Sequence, residues 1–279
     1  MEINKLTRIY FSPTKTTQQV INQITKSMKV KNIRTINLTE PNIRKNLNIN
    51  FDDKEVLIIG VPVYGARIPD ILLPYLKKLR GNNQPVILVS VYGNVEPGIA
   101  LKQLYYLLKK RKFKIIGASS FIGEHSFSYE KIKLAIGRPD MCDLYKAKEF
   151  GEKVVEKLKQ INDLQSISEI KITEQSTLLA RLIPIIAKVL PKDGAKLFAK
   201  IPVIDKNKCN GCKKCVEICS TKAINEQKLE VNKKICLRCY ACVKYCPLNA
   251  KEIEFNMEWL VKKFLNKKGR KRKEPKIYI

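Results

Sequence analysis

The chain has 279 residues, 44% of them hydrophobic, with 54 Lys and Arg against 26 Asp and Glu for a formal net charge of +28 at pH 7. A length near twice the typical domain of about 150 residues excludes a small disulfide-stapled module, and the apolar fraction excludes a disordered basic tail protein, while anionic partners stay open. A lone histidine, His125, leaves little for His-rich metal sites or for Ser-His and Cys-His catalysis, so metal chemistry falls to cysteine.

The N-terminus, Met1-Glu2-Ile3-Asn4-Lys5, has neither the basic region nor the apolar core of a signal peptide, and a reducing, cytoplasmic setting without disulfides is expected. From Thr7 to Lys159 short apolar runs alternate with helical patterns, as in an α/β domain with a parallel sheet. Strands are expected at Thr7–Phe11, Ile33–Asn37, Glu55–Gly60, Pro85–Val91 and Lys114–Ile122. Helices are expected near Thr16–Met28, Pro69–Arg80, Gly98–Lys112 and Asp140–Lys159, with Pro69 and Pro139 at first-turn positions. Cys142 falls near the start of the last helix as an ordinary residue.

Residues 161–200 read as a connector whose stretch Thr177–Ala199 is apolar at helical spacing but broken by Pro184 and Pro191. Its most apolar part, Leu178–Leu190, is interrupted by Arg181, Pro184 and Lys188 and is shorter than the roughly 20 residues of a bilayer span, so no transmembrane helix is expected. Docking on a neighbouring domain is the expectation, a membrane-surface helix the alternative. Residues 201–256 repeat internally: Asp205–Cys209 aligns with Asn232–Cys236 at an offset of 27, and the match runs on through Val216 and Val243, Cys219 and Cys246, and Ala223 and Ala250. Residues 257–279 carry eight basic side chains between Lys262 and Lys273 and read as a basic helix and tail.

Eight of the nine cysteines lie in the repeat, as Cys209-x2-Cys212-x2-Cys215-x3-Cys219 and Cys236-x2-Cys239-x2-Cys242-x3-Cys246-Pro247. This spacing is the bacterial run for [4Fe–4S] clusters, twice over. Three thiolates at i, i+3 and i+6 wrap three corners of a cubane, and the fourth reaches the other cluster. Crossed ligation follows: Cys209, Cys212, Cys215 and Cys246 hold one cluster, and Cys236, Cys239, Cys242 and Cys219 hold the second. Structural zinc prefers separated pairs of ligands. Ser220 stands where Pro247 stands in the second motif, and Arg238 occupies the slot of Gly211. Two such clusters carry about −4 in total when oxidised, which lowers the charge of the loaded protein.

The first strand runs into Ser12-Pro13-Thr14-Lys15-Thr16-Thr17 and then a helix, placing hydroxyls and amide N–H groups where a phosphate would sit. Two further loops end strands: Gly60–Pro69, with Pro62, Tyr64 and Gly65, and Val91–Asn94, with Tyr92, Gly93 and Asn94. A third, Gly123–Phe127, holds His125 as a polar loop residue.

The first of these loops resembles the FMN phosphate loop of flavodoxins, [ST]-x-T-G-x-T, with Lys15 in place of the glycine. With VPVYGARIP, VYGN, the GRPD turn at Gly137–Asp140 and the two cysteine runs, residues 7–159 and 203–255 together resemble the flavodoxin–ferredoxin fusion proteins of anaerobic bacteria and archaea. The resemblance implies a doubly wound five-stranded parallel sheet of order 2-1-3-4-5 over residues 1–160, followed by a small α+β two-cluster ferredoxin-like domain. It also implies FMN on Ser12, Thr14, Lys15, Thr16 and Thr17, with its ring near Pro62, Tyr64, Gly65, Tyr92, Gly93 and Asn94.

The function expected is electron transfer between FMN, two [4Fe–4S] clusters and an acidic redox partner drawn in by the positive field, with the clusters meeting the flavin within one chain or in a homodimer. A flavin-dependent reductase fed by the clusters is the enzyme alternative, with no general acid or base in view, and a ferredoxin with a structural α/β companion is a third reading. Nucleic-acid binding is not expected, because the charge is spread: residues 201–279 hold 20 basic and 8 acidic side chains, and the rest of the excess lies elsewhere.

Overall fold

A computed structural model describes residues 3–52, 54–129, 132–161, 163, 167–168, 170–173 and 195–279. Strands and helices alternate: β1 (Lys5–Tyr10), α1 (Thr16–Ser27), β2 (Ile33–Asn37), α2 (Pro41–Lys45), β3 (Glu55–Pro62), a 3₁₀ turn at Asp70–Leu72 leading into α3 (Leu73–Leu76), β4 (Pro85–Tyr92), α4 (Ala100–Lys109), β5 (Lys114–Ile122) and α5 (Met141–Gln160). The parallel strands lie in the expected order β2-β1-β3-β4-β5.

Alternation along the buried strands divides the core in two. Val56 and Ile58 of β3 pack with Leu6, Ile21, Ile24 and Phe150 on the face covered by α1 and α5. Leu57, Ile59 and Val61 pack with Leu72, Leu101 and Leu104 on the other. The two helices of the first face approach closely at Gly151, where a Cβ would meet the Ile24 carbonyl oxygen at 2.6 Å. Asp140 starts α5 with a capping box, accepting from the Asp143 N–H at 3.1 Å and donating its own N–H to the Asp143 carboxylate at 3.0 Å. Pro139 therefore precedes the cap instead of sitting in the first turn.

Three segments differ from expectation. The helix expected over Pro69–Arg80 is split and ends at Leu76; Pro74, without an N–H, cannot continue the ladder from the 3₁₀ turn. Pro41 nucleates the short α2, too brief and polar to show a periodicity. The C-terminal segment is no free tail: after α9 (Glu258–Gly269) the chain forms β6 (Lys276–Tyr278), a sixth strand antiparallel to β5 with Ala118 opposite Tyr278 and Ser120 opposite Lys276.

The intervening region is built from the single turns α6 (Ala195–Phe198), α7 (Lys214–Glu217) and α8 (Ala241–Lys244), tied by bridges between Ala199 and Phe255, Ile204 and Lys251, and Ile224 and Val231. Apart from residues 195–199, the amphipathic stretch Thr177–Ala199 lies outside the described residues. α9 turns Val261, Leu265 and Gly269 inward at i, i+4 and i+8. The first two join Tyr240, Ile253 and Phe255 with Ile132 and Leu134 of the α/β domain in a third core shared by both parts. No described helix is long and apolar enough to cross a membrane.

Candidate functional site

α7 and α8 each start from a left-handed residue, Lys213 (φ 56°) and Tyr240 (φ 54°), and each follows the second cysteine of its motif. The fourth cysteines sit alike: the Ala223 N–H donates to Cys219 Sγ and the Ala250 N–H to Cys246 Sγ, both at 3.2 Å. Cys209, Cys212, Cys215 and Cys246 line one small cavity together with Lys213 and Lys251. Cys219 belongs electrostatically with Cys236, Cys239 and Cys242: burial pushes the Cys239 thiol up to about 12 and raises Cys236 and Cys242, and all three feel Cys219. Among the described residues, no three His, Cys, Asp or Glu side chains converge closely enough to hold a single ion.

At the C-terminal ends of the strands, Lys15 caps α1 in the left-handed region (φ 63°), the conformation for which glycine is the ordinary choice. The Lys15 N–H donates to the Ser12 carbonyl and the Gln18 N–H to Ser12 Oγ, both at 3.1 Å. Thr14 and Thr16 are half-buried, and the Thr17 hydroxyl is fully buried with no hydrogen-bond partner. Pro62 ends β3; Tyr64 and Arg67 then pair across a tight turn at 3.0 and 3.2 Å, with Gly65 at φ 56°. Tyr92 is buried at the end of β4. Gly93 lies against His125, where a Cβ would fall 2.3 Å from the imidazole.

Asn94 follows β4 with its side chain buried and bonded to the backbone of Gly269, Lys271 and Lys273, so the C-terminal segment engages that side chain. His125 is half-buried, accepts the Phe127 N–H on Nδ1 at 3.0 Å, and is lowered to about 4 by burial and then by Lys244.

The cysteine-rich region closes over this crevice. Lys244 of α8 pairs with Glu124 after β5. Arg44 of α2, itself buried, donates to the Ser220 carbonyl. Lys15 lies over the Tyr245 ring at 5.1 Å. Leu237 packs into the core that holds Tyr64, and the Tyr64 phenol is raised by burial and then by Cys239. Phe127 meets Tyr240 and Phe255 edge-on with centroids 5.5 and 5.3 Å apart. The set of Cys236, Cys239, Cys242 and Cys219 thus faces the α/β domain. The other set faces outward: Cys212 is exposed, as are Lys206, Lys208, Lys213 and Lys214 around it.

Sequence reasoning gave no role of their own to Arg44, Phe127, Tyr240 and Lys251. For Lys251 a signal existed, since the repeat aligns it with Ile224; the others act across the interface and leave no local pattern.

The 4Fe-4S binding domain family matches residues 201–224. A polyferredoxin-like protein of Methanocaldococcus jannaschii is 40% identical over 68 residues, 24% of this chain and 28% of that protein, so the match spans little more than a quarter of the relative. Among solved structures, a flavodoxin from the domain Archaea superposes at 12% identity over 56% of this chain and 99% of its own, with a TM-score of 0.42. An oxidised flavodoxin from Bacillus cereus does so at 19% identity over 55% and 98%, with a TM-score of 0.40. A flavodoxin of Fusobacterium nucleatum bound to flavin mononucleotide follows at 20% over 57% and 98%, with a TM-score of 0.38.

Proposed function

We propose that this electron-transfer iron–sulfur protein carries two [4Fe–4S] clusters and one FMN in a fixed series: an outer cluster on Cys209, Cys212, Cys215 and Cys246, an inner one on Cys219, Cys236, Cys239 and Cys242, and the flavin in the crevice below. The observation that carries this reading is the packing of Leu237, between two cysteines of the inner motif, into the core that holds Tyr64, with Lys244–Glu124, Lys15–Tyr245 and Arg44–Ser220 fastening the inner set over the strand ends.

The residues suit the flavin at its phosphate end. The N-terminus of α1, the orphaned Thr17 hydroxyl and the Lys15 ammonium offer a dipole, a donor and a charge to an anion. Bound there, FMN supplies exchange of one or two electrons, and each cluster supplies one. The chain's part is orientation. Tyr64 and Leu237 exclude water between the inner set and the crevice, and the Phe127, Tyr240 and Phe255 rings keep the two parts at one separation. At the outer set, Lys206, Lys208, Lys213 and Lys214 form a positive rim for an acidic redox partner.

One sample purified without oxygen and assayed for iron, acid-labile sulfide and released flavin tests the proposal. About eight iron, eight sulfide and one FMN per chain are expected. Eight iron without flavin supports the second reading, a ferredoxin region on a structural α/β companion, which the contacts of Gly93 with His125 and of Asn94 with Gly269 favour. Zinc in place of iron overturns both.

A further inference from the structure

The internal repeat is broken at two positions by cations. Lys251 stands where the first half has Ile224, and Arg238 stands where it has Gly211. Both are buried, at 4% and 9% exposure. Lys251 lines the cavity of Cys209, Cys212, Cys215 and Cys246, its backbone fixed by the bridge to Ile204. Its Nζ is buried with no hydrogen-bond partner. Arg238 lies on the other set, donating to the carbonyls of Lys233 and Cys236 at 2.9 and 2.8 Å, with Nε buried and unpartnered.

A buried ammonium without a partner is strongly unfavourable, and chains retain one only where an anion offsets it. Here the cavity that Lys251 lines supplies one, the ligand set itself; the charge of Lys251 reaches Cys215 and Cys242, and that of Arg238 reaches Cys236. We propose that Lys251 is the resident counter-charge of the outer cluster and Arg238 that of the inner one, so that two cations that break the symmetry of the repeat set the two reduction potentials separately. The proposal rests on the two-cluster reading above.

The physical reason is electrostatic. Reduction adds one negative charge to a cluster, and a fixed cation at short range in a water-poor site favours the more negative form, raising the midpoint. Lys251 has no competing acceptor. Arg238 is shared with two carbonyls, which fix its position and divert part of its charge.

The test is a redox titration of the loaded protein followed by electron paramagnetic resonance, with iron and sulfide measured on the same samples. Fewer than about eight iron per parent chain overturns the underlying two-cluster reading rather than this one. With full iron, Lys251→Met is expected to lower one cluster's midpoint by at least the 59 mV that corresponds to a tenfold change for one electron, with a smaller shift of the other. Arg238→Met lowers the second midpoint, and Lys251→Arg restores the first. A fully loaded Lys251→Met protein with both midpoints unmoved overturns the proposal, as does a Lys251→Met and Arg238→Met pair that move the same one.

Discussion

The side chain of Asn94 holds the backbone around Gly269, 175 positions later in the chain: Nδ2 donates to the Gly269 carbonyl at 2.7 Å and to the Lys271 carbonyl at 3.0 Å, while Oδ1 accepts from the Lys273 N–H at 3.1 Å. This clamp fixes where α9 ends and the run toward β6 begins. Asn94→Ala removes three bonds at roughly 1 kcal/mol each and leaves the buried backbone groups unmatched. A loss of roughly 2–3 kcal/mol in urea unfolding is expected, with faster amide exchange in Lys276–Tyr278 and no change in flavin per chain. A drop in flavin without loss of β6 protection would instead assign Asn94 to the flavin site.

The central sheet and the cysteine-rich region are the parts a reader of the sequence obtains. Runs such as Val56–Ile59 and Val86–Val89 are apolar throughout because both sheet faces are covered, so they stand out against the polar loops. The cysteines stand out because ligand spacing is local. β6 does not, since Lys276-Ile277-Tyr278 is three residues long and finds its place only by pairing with β5. Nor does the docking: Arg44, Glu124 and Phe127 look like surface and loop residues until the cysteine-rich region is laid on them. The side-chain partners of Asn94 are hidden for the same reason, lying at the other end of the chain.

Arg138 and Asp143 form a pair in which both side chains are buried, the guanidinium Nε donating to the carboxylate at 2.7 Å and a terminal nitrogen donating to the Lys273 carbonyl at 2.8 Å. Removing the cation strands a carboxylate in the interior. Arg138→Met is expected to destabilise by about 3–5 kcal/mol, measured by chemical denaturation. The double change Arg138→Met with Asp143→Leu recovers much of that loss. If the double variant is no more stable than the single one, the carbonyl contact to Lys273 and the Asp143 half of the α5 capping box together outweigh the stranded charge.

His125 makes stability depend on pH. Its folded value is about 4 against an ordinary 6.5, held down by burial first and Lys244 second. The unfolded chain therefore takes up a proton near pH 6.5 that the folded chain refuses until about pH 4, so stability is full above 6.5 and falls as pH drops through that window. Urea midpoints between pH 8 and 4 should show this slope in the parent and a shallower one in His125→Leu. Identical slopes remove His125 from the account.

Crossed ligation is testable by single substitutions. Cys246→Ala is expected to disturb the cluster of Cys209, Cys212 and Cys215, whose cavity it lines, while Cys219→Ala disturbs that of Cys236, Cys239 and Cys242. The outer set is the more exposed, so a cluster weakened by Cys246→Ala should lose iron to a chelator faster than one weakened by Cys219→Ala. Equal rates, or the reverse order, contradict the assignment of inner and outer sets.

Lys15 carries two opposed effects that a pair of substitutions separates. A left-handed φ of 63° disfavours a residue with a Cβ by about 1 kcal/mol, whereas its ammonium over the Tyr245 ring at 5.1 Å contributes about 0.5–1 kcal/mol. Lys15→Gly relieves the first and loses the second, so thermal stability should change by less than about 0.5 kcal/mol. Lys15→Ala keeps the strain, loses the ring contact and should be less stable by about 0.5–1 kcal/mol. Tyr245→Leu then serves as the control: in that background the Ala variant should fall no further, since no ring remains for Lys15 to cover. An Ala variant as stable as the parent would mean that the contact between the Lys15 loop and the cysteine-rich region contributes nothing to stability.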